Sequence, residues 1–564
     1  MIELTPRTSG SAMPSLLGRL ALVAILAVAY PASAQEPEPA TLPAASVAPL
    51  PSFAELQAAG ATIGEIRIVN MNIFDPDNPK ENKLLFRWAN ALHIQTRVSV
   101  IRRALLFKSG DKILASRVDE TERVLRKTSF LYDVNIRPIA YTDGVVDIEV
   151  LTRDTWTLDP AISISRSGGT NSSRVKLIEQ NIAGTGTSVS YGRSKDVDRS
   201  MNEFQFSNER AFDGWTSISY SHANNSDGKR DALALAHPFY SLDTPWAAGV
   251  SASRDNRIDR TYAGGVVTGE YRHRSSYAEM YGGLSAGRVG DWVRRYSIGV
   301  TEQDDVYALE EGRVAPAVLP ANERKIAPFL RFDLIEDRFV KQQNRNLIDR
   351  SEFFALGFAA TVQLGWASTS FGSTRDTLLY SGSISRGFEP FPNHTLLAAG
   401  SITGQYTEGP VRRQRSGGQT QYYLPQSPRW LFYASVSAEM LTRPAAGEFL
   451  TLGGDNGLRG YPLRYQSGTR RALVTLEERT YSEIYILQLF RVGGAVFIDV
   501  GRACTARDPA TLDAGGLSNA GLGLRFFNTR TASRNVLHVD VASPLNADAN
   551  VKKLQLLVKV KASF

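Results

Sequence analysis

The chain has 564 residues, 43% of them hydrophobic and 9% aromatic, which is room for more than one domain and excludes a mainly disordered chain. A net charge of +7 with an isoelectric point near 9.2 is small for this length. It reads as solvated surface, the alternative being an attraction to anionic lipid or an acidic client, and no nucleic acid is expected as a partner. Cys504 is the single cysteine, so no disulfide forms within the chain.

Residues 1–34 have the form of an export signal. Arg7 and Arg19 supply the positive end, Leu20 to Ala29 a short apolar core, and Ala32-Ser33-Ala34 a small-residue cleavage site, with cleavage expected after Ala34. That core is too short to span a bilayer, and no later run approaches the roughly 18 apolar residues of a transmembrane helix. The remaining membrane solution is a closed barrel, whose alternating strands hardly raise the mean hydropathy, here -0.20.

Residues 35–60 contain five prolines between Gln35 and Ser52 and read as an extended tether without a helix. From 61 to 153 the expected order is strand, helix, helix, strand, strand. Ile66 and Ile68 alternate with Glu65 and Arg67. Val98, Ile101 and Leu105 keep helical spacing after Thr96 as a cap, and Ser116 with Asp119 has the form of a capping box. Two alternating strands, through Val134 and Ile136 and through Val146, Ile148 and Val150, are joined by Asp143-Gly144, a hairpin signal. This predicts one compact α+β domain.

From 155 to 564 the helical period disappears and alternating strands follow one another. Over Glu352–Trp366, Phe354, Leu356, Phe358, Ala360, Val362, Leu364 and Trp366 share one face. Trp430 to Met440 repeats the arrangement. The chain closes on Leu554, Leu556, Val558, Val560, Ala562 and Phe564 on one face, against Gln555, Lys559 and Lys561. One face suits lipid and the other a lumen, and an aromatic carboxyl terminus suits a sealing strand. Trp246, Trp292, Trp366 and Trp430 are expected in an interfacial girdle.

Three segments of the strand region, and a further one in the small domain, carry a family resemblance. Leu452-Gly453-Gly454 with Leu458-Arg459-Gly460-Tyr461 resembles the arginine-containing loop motif of the outer-membrane assembly factor superfamily, the group of BamA, TamA and the two-partner-secretion translocators. Phe497-Ile498-Asp499-Val500-Gly501 is similar to a strand motif of the same barrels, and Val536–Leu545 with the closing strand to its last two strands. Ala104 to Phe107 before Gly110-Asp111, with Leu125 to Tyr132 after it, is similar to a POTRA module.

The resemblance implies a monomeric all-β transmembrane barrel of ~16 antiparallel strands, preceded by one periplasmic POTRA-like α+β domain. Arg459 would lie on an extracellular loop folded into the lumen. A guanidinium there needs a carboxylate. Asp499 has the right parity, because Val496, Ile498 and Val500 would take the lipid face. Glu477, beside Val474 and Leu476, is the second candidate. Gly460 would let the backbone approach, and Tyr461 would pack beneath the loop. The implied function is an outer-membrane insertase or translocase that captures a client polypeptide, or lipid, through the POTRA-like domain. The alternative is a passive channel or surface protein.

No cofactor is implied. The histidines His93, His222, His237, His273, His394 and His538 show no ligand spacing. His538 and Asp540 share the lumen side of one strand, but no nucleophile elbow accompanies them, so an enzyme is not expected. Asn181, Gly184 and Gly186 read as a turn between early strands.

Overall fold

The computed structural model describes residues 50–564 except 168–169, 197–198, 264–265, 408–411, 445–447, 455, 506–514, 532–534 and 562–564. The expected signal, most of the tether and the terminal Phe564 therefore lie outside the described residues.

The small domain begins earlier than the sequence pattern suggests. Helix α1 (Phe53–Ala58) lies inside the stretch expected to be a tether, closed by a capping box between Ser52 and Glu55. Pro51 precedes the helix rather than entering it, where it costs nothing, and Leu56 is fully buried.

Strand β1 (Thr62–Met71), helices α2 (Leu84–Leu92), α3 (Val98–Arg103) and α4 (Ala115–Lys127), and strands β2 (Leu131–Thr142) and β3 (Val145–Asp154) follow. The sheet order is β1-β3-β2, parallel then antiparallel. The core joins Ile63, Ile101, Val118, Leu125, Val134 and Ile148. Helix α2 is an element the periodicity did not separate from its surroundings. The expected caps are also absent: Arg97 and Leu114 occupy the N-cap positions without a side-chain bond. Thr96 instead has its hydroxyl engaged by the Asn181 amide at 2.8 Å, which ties the domain to the strands that follow.

Ten strands run in sequence from Leu158 to Glu336: β4 (Leu158–Ser167), β5 (Thr170–Glu179), β6 (Thr187–Lys195), β7 (Ser200–Ala211), β8 (Thr216–Asn225), β9 (Gly228–His237), β10 (Trp246–Ala263), β11 (Val266–Val289), β12 (Trp292–Leu309) and β13 (Glu323–Glu336). The chain then leaves the sheet for a separate hairpin, β14 (Phe339–Gln343) and β15 (Ser351–Ala355). It returns as β16 (Ala359–Ala367), β17 (Thr377–Phe388), β18 (Thr395–Thr407), β19 (Arg412–Pro425) and β20 (Trp430–Thr442). A long connection holds the short pair β21 (Leu450–Leu452) and β22 (Gln466–Gly468). The last strands are β23 (Arg470–Ile486), β24 (Phe490–Cys504), β25 (Leu517–Asn528), β26 (Val536–Pro544) and β27 (Gln555–Lys561).

Among the described residues, 20 of these strands form one antiparallel sheet, which corrects the expectation of about 16. The additional strands fit because turns such as Ser226-Asp227, between β8 and β9, and Gly290-Asp291, between β11 and β12, are only two residues long. No helix among the described residues is long and apolar enough to cross a membrane.

The two faces of the sheet reverse the usual order of a water-soluble protein. Val496, Ile498 and Val500 are exposed, whereas Asp499 between them is 0% accessible, as is Arg525. Leu556, Val558 and Val560 are exposed on the same apolar face as Leu522 and Leu524. Charges buried on one face and aliphatics bare on the other are what lipid on the outside demands. Trp246, Trp366 and Trp430 are each about half exposed and Trp292 less so.

Glu352–Trp366 is not one strand. The strand breaks at Leu356–Phe358, where the chain passes from β15 to β16. Phe354 and Leu356 are buried, whereas Val362, Leu364 and Trp366 are exposed. The small domain sits at one end of the sheet. Leu242 donates its amide to Glu120 at 2.7 Å, Arg123 faces Asp337 at 3.4 Å, and Arg530 donates to the Ile73 carbonyl at 2.9 Å.

Candidate functional site

Strand β23 turns into β24 through Leu487–Leu489, and Leu489 packs against the small domain. The connection before β23, residues 443–469, therefore leaves the sheet at the opposite end. Its middle, 453–465, turns back as a strap across the charged face. Asn456 shapes it locally, accepting from the Gly453 amide at 2.7 Å and donating to the Thr451 carbonyl at 2.7 Å. Leu452, Leu458 and Tyr461 seat it against Ala503, Leu517 and Val551.

Arg459 is the strap's anchor. Its Nε and one terminal nitrogen donate to the two oxygens of Asp499 at 2.8 and 2.7 Å, and its other terminal nitrogen donates to Glu477 at 2.7 Å. The guanidinium carbon lies 3.3 Å from the centroid of the Phe497 ring, so the plane is stacked as well as paired. Asp499 also accepts from the Thr475 hydroxyl and the Asn519 amide, both at 2.9 Å. A carboxylate with four donors is fully satisfied, and such a buried pair is disrupted only at high cost.

The strap backbone approaches the sheet closely. A Cβ on Gly460 would stand 2.6 Å from the Asn519 Cβ and 2.9 Å from the Pro544 nitrogen, and one on Gly501 would meet the side chain of Leu452, which seats the strap, at 3.0 Å. Tyr461, buried, reaches the Asn546 side chain at 2.8 Å and the Ser518 carbonyl at 3.1 Å with its hydroxyl.

The cluster is larger than the residues singled out from sequence. Arg479 donates to the second oxygen of Glu477 at 2.9 Å, and Arg525 pairs with Asp540 at 2.5 Å. Asp540 in turn stands 3.9 Å from Arg459. Three guanidinium groups thus face three carboxylates. The signal that could have found Arg479 was its spacing of two from Glu477, which fixes the same face. Val558 and Val560, on the exposed face, take no part in this cluster. Among the described residues no group of three His, Cys, Asp or Glu side chains is arranged to hold a metal.

The hairpin β14–β15 covers the same face from the small-domain end. The Arg345 carbonyl at its tip accepts from Arg479 at 3.1 Å and from the Tyr481 hydroxyl at 3.0 Å, and Tyr423 donates to Asn346 at 3.0 Å. Leu347, Ile348 and Phe354 fill the space among Tyr423, Tyr433 and Phe527. Arg350 donates to the carbonyl of Leu131 on β2 at 3.2 Å, and Lys341 pairs with Glu122 on α4 at 2.7 Å. Strap and hairpin therefore meet through Glu477 and Arg479.

The turn at Asn181 to Gly186 is a docking element. Asn181 accepts from the Gly186 amide at 2.6 Å while its own amide holds Thr96, and the Gly184 carbonyl accepts from Arg97 at 3.0 Å.

No family model matches this chain, and no curated protein matches it. Among solved structures, it is similar to CdiB from Escherichia coli, with a TM-score of 0.47, 14% identity and coverage of 89% of this chain and 76% of that one. It is also similar to BamA from Haemophilus ducreyi lacking POTRA domains 1–3, with a TM-score of 0.38, 13% identity and coverage of 89% and 85%. The FrpB iron transporter from Neisseria meningitidis gives a TM-score of 0.38 with 10% identity over 90% and 84%.

Proposed function

We propose that this chain is a monomeric outer-membrane insertase or translocase of the assembly factor superfamily, its small domain a periplasmic POTRA-like module and its sheet a closed barrel. Closure is supported by the strand order, in which β27 is neighbour to β4, and by the aliphatic outer face. The observation that carries the transport reading is the strap: a 453–465 segment anchored by Arg459 to Asp499 and Glu477 occupies a face that a simple pore would leave to water.

Client capture is assigned to β2, an edge strand in the order β1-β3-β2. An extended polypeptide adds to such an edge through backbone bonds without demanding a sequence. A lipid client would use the same route past the strap. The passive-channel alternative draws its support from the periplasmic part, which is a single small domain.

Deleting the gene and restoring it as wild type or as Arg459→Ala tests the proposal. The expected outcome is loss of particular outer-membrane or secreted components, restored by wild type and not by the variant. An outer membrane of unchanged composition, together with steady ion conduction by the purified barrel, would establish the passive channel instead.

A further inference from the structure

Helix α2 carries two apolar faces. At 100° per residue, Phe86, Ala89 and Asn90 point one way, and this face is anchored. Phe86 stacks on Phe74 with ring centroids 4.2 Å apart in a cluster with Ile73, Trp156 and Leu489. The Asn90 side chain bonds both the amide and the carbonyl of Phe74, at 3.1 and 2.8 Å. Leu84, Leu85, Trp88 and Leu92 fall within one stripe on the other side and are 61%, 68%, 63% and 74% exposed. A rigidly seated helix with so much bare apolar surface calls for a partner that the described residues do not supply.

Its position identifies the partner. Leu489, which packs on the anchored face, closes the β23–β24 turn, beside which Ile484 and Ile486 at the end of β23 and Leu487 in the turn are 58%, 42% and 70% exposed. Ile484 and Ile486 end β23 on the aliphatic outer face of the sheet, and α2, seated on Leu489, lies at that rim. Lys80, Lys83 and Arg87 are exposed around the start of the helix, where anionic phosphates would meet them. Leucines and a tryptophan on one side with cations on the flank are the composition of a helix lying at the headgroup–acyl boundary.

We infer that α2 is an interfacial membrane anchor, embedding Leu84, Leu85, Trp88 and Leu92 in the phospholipid leaflet that surrounds the small-domain end of the barrel. The inference rests on the membrane reading given above. It fixes the height and rotation of the small domain, holding the β2 edge at a set distance below the bilayer.

The test uses the full chain in phospholipid vesicles with and without acyl-brominated lipid. An environment-sensitive fluorophore is placed on single cysteines in a Cys504→Ser background, at Leu85→Cys, Leu92→Cys, Leu476→Cys and Val145→Cys. Leu476 reports the outer face of β23. Val145, exposed at the start of β3, lies at the end of that strand away from Asp154, which leads into the barrel strands. Bromolipid is expected to quench positions 85 and 92 to the extent seen at 476, and to leave 145 bright. Quenching at 476 with 85 and 92 as bright as 145 would overturn the anchor while the membrane reading stood. A bright signal at 476 would overturn both.

Discussion

Replacing Arg459 by alanine removes two hydrogen bonds to Asp499 and one to Glu477 from a site with 5% residual exposure. Stripping one partner from a buried ion pair costs about 3–5 kcal/mol. Here the lower end applies, because Asp499 keeps Thr475 and Asn519 as donors and Glu477 keeps Arg479. About 3 kcal/mol, at ~1.4 kcal/mol per tenfold, shifts the docked strap toward its undocked form by roughly a hundredfold. The ladder between β23 and β24 does not depend on the strap's bonds. Hydrogen exchange of the barrel should therefore show strap amides within 450–468 exchanging roughly a hundredfold faster while those of Val496–Val500 keep their rate. The Arg459→Ala/Asp499→Ala pair should cost less than the sum of its single changes, since it leaves no abandoned charge. Unchanged strap exchange, or strap and ladder loosening together, would refute the clamp.

Gly460→Val should undock the same strap by collision rather than by lost charge, at about 1–3 kcal/mol for overpacking, and the exchange rates of strap and ladder would again separate. Arg350→Ala, which frees the Leu131 carbonyl, should speed exchange of the Phe339–Ala355 hairpin and raise ion conductance; an unaltered hairpin would deny it a gating role. Burial raises the pKa of Glu120, against the opposing hydrogen bond from the Leu242 amide. The folded state then holds the proton more tightly than the unfolded one, so Glu120 destabilises progressively as pH rises through its raised pKa. Melting of wild type against Glu120→Gln from acid to neutral pH should show the variant gaining relative stability on the way up. A constant difference would contradict this.

How far the sequence could be read depended on how many structures one pattern serves. From Arg470 to Lys561 one face of each strand is aliphatic and exposed, and the expected strand Val536–Leu545 ends within one residue of β26. The contact between Arg459 and Asp499 was legible for the same reason: period-two alternation assigns Asp499 a face once Ile498 and Val500 are placed. In the first half, β7 carries Asn202, Gln205, Asn208 and Arg210, and both faces are too polar for alternation to count strands. Glu352–Trp366 alternates without interruption because a strand facing outward and a hairpin strand packed on Tyr423 impose the same period; only the partner differs. Thr96 looked like a cap and is bonded across 85 residues to Asn181, a non-local choice that no window contains. Asp540 is legible on the lumen side beside His538, but its pairing with Arg525 is not, because that pair crosses strands rather than following a motif.

The central claim is that strap and hairpin together occlude a transport path. Single-channel recording of the refolded chain in planar bilayers, comparing wild type with Arg459→Ala and Asp499→Ala, tests it most directly. A wild type that stays mostly closed, with both substitutions producing the same larger and noisier openings, is the predicted result. Identical steady pores from all three proteins would contradict it and leave the strap an inert lining of a channel.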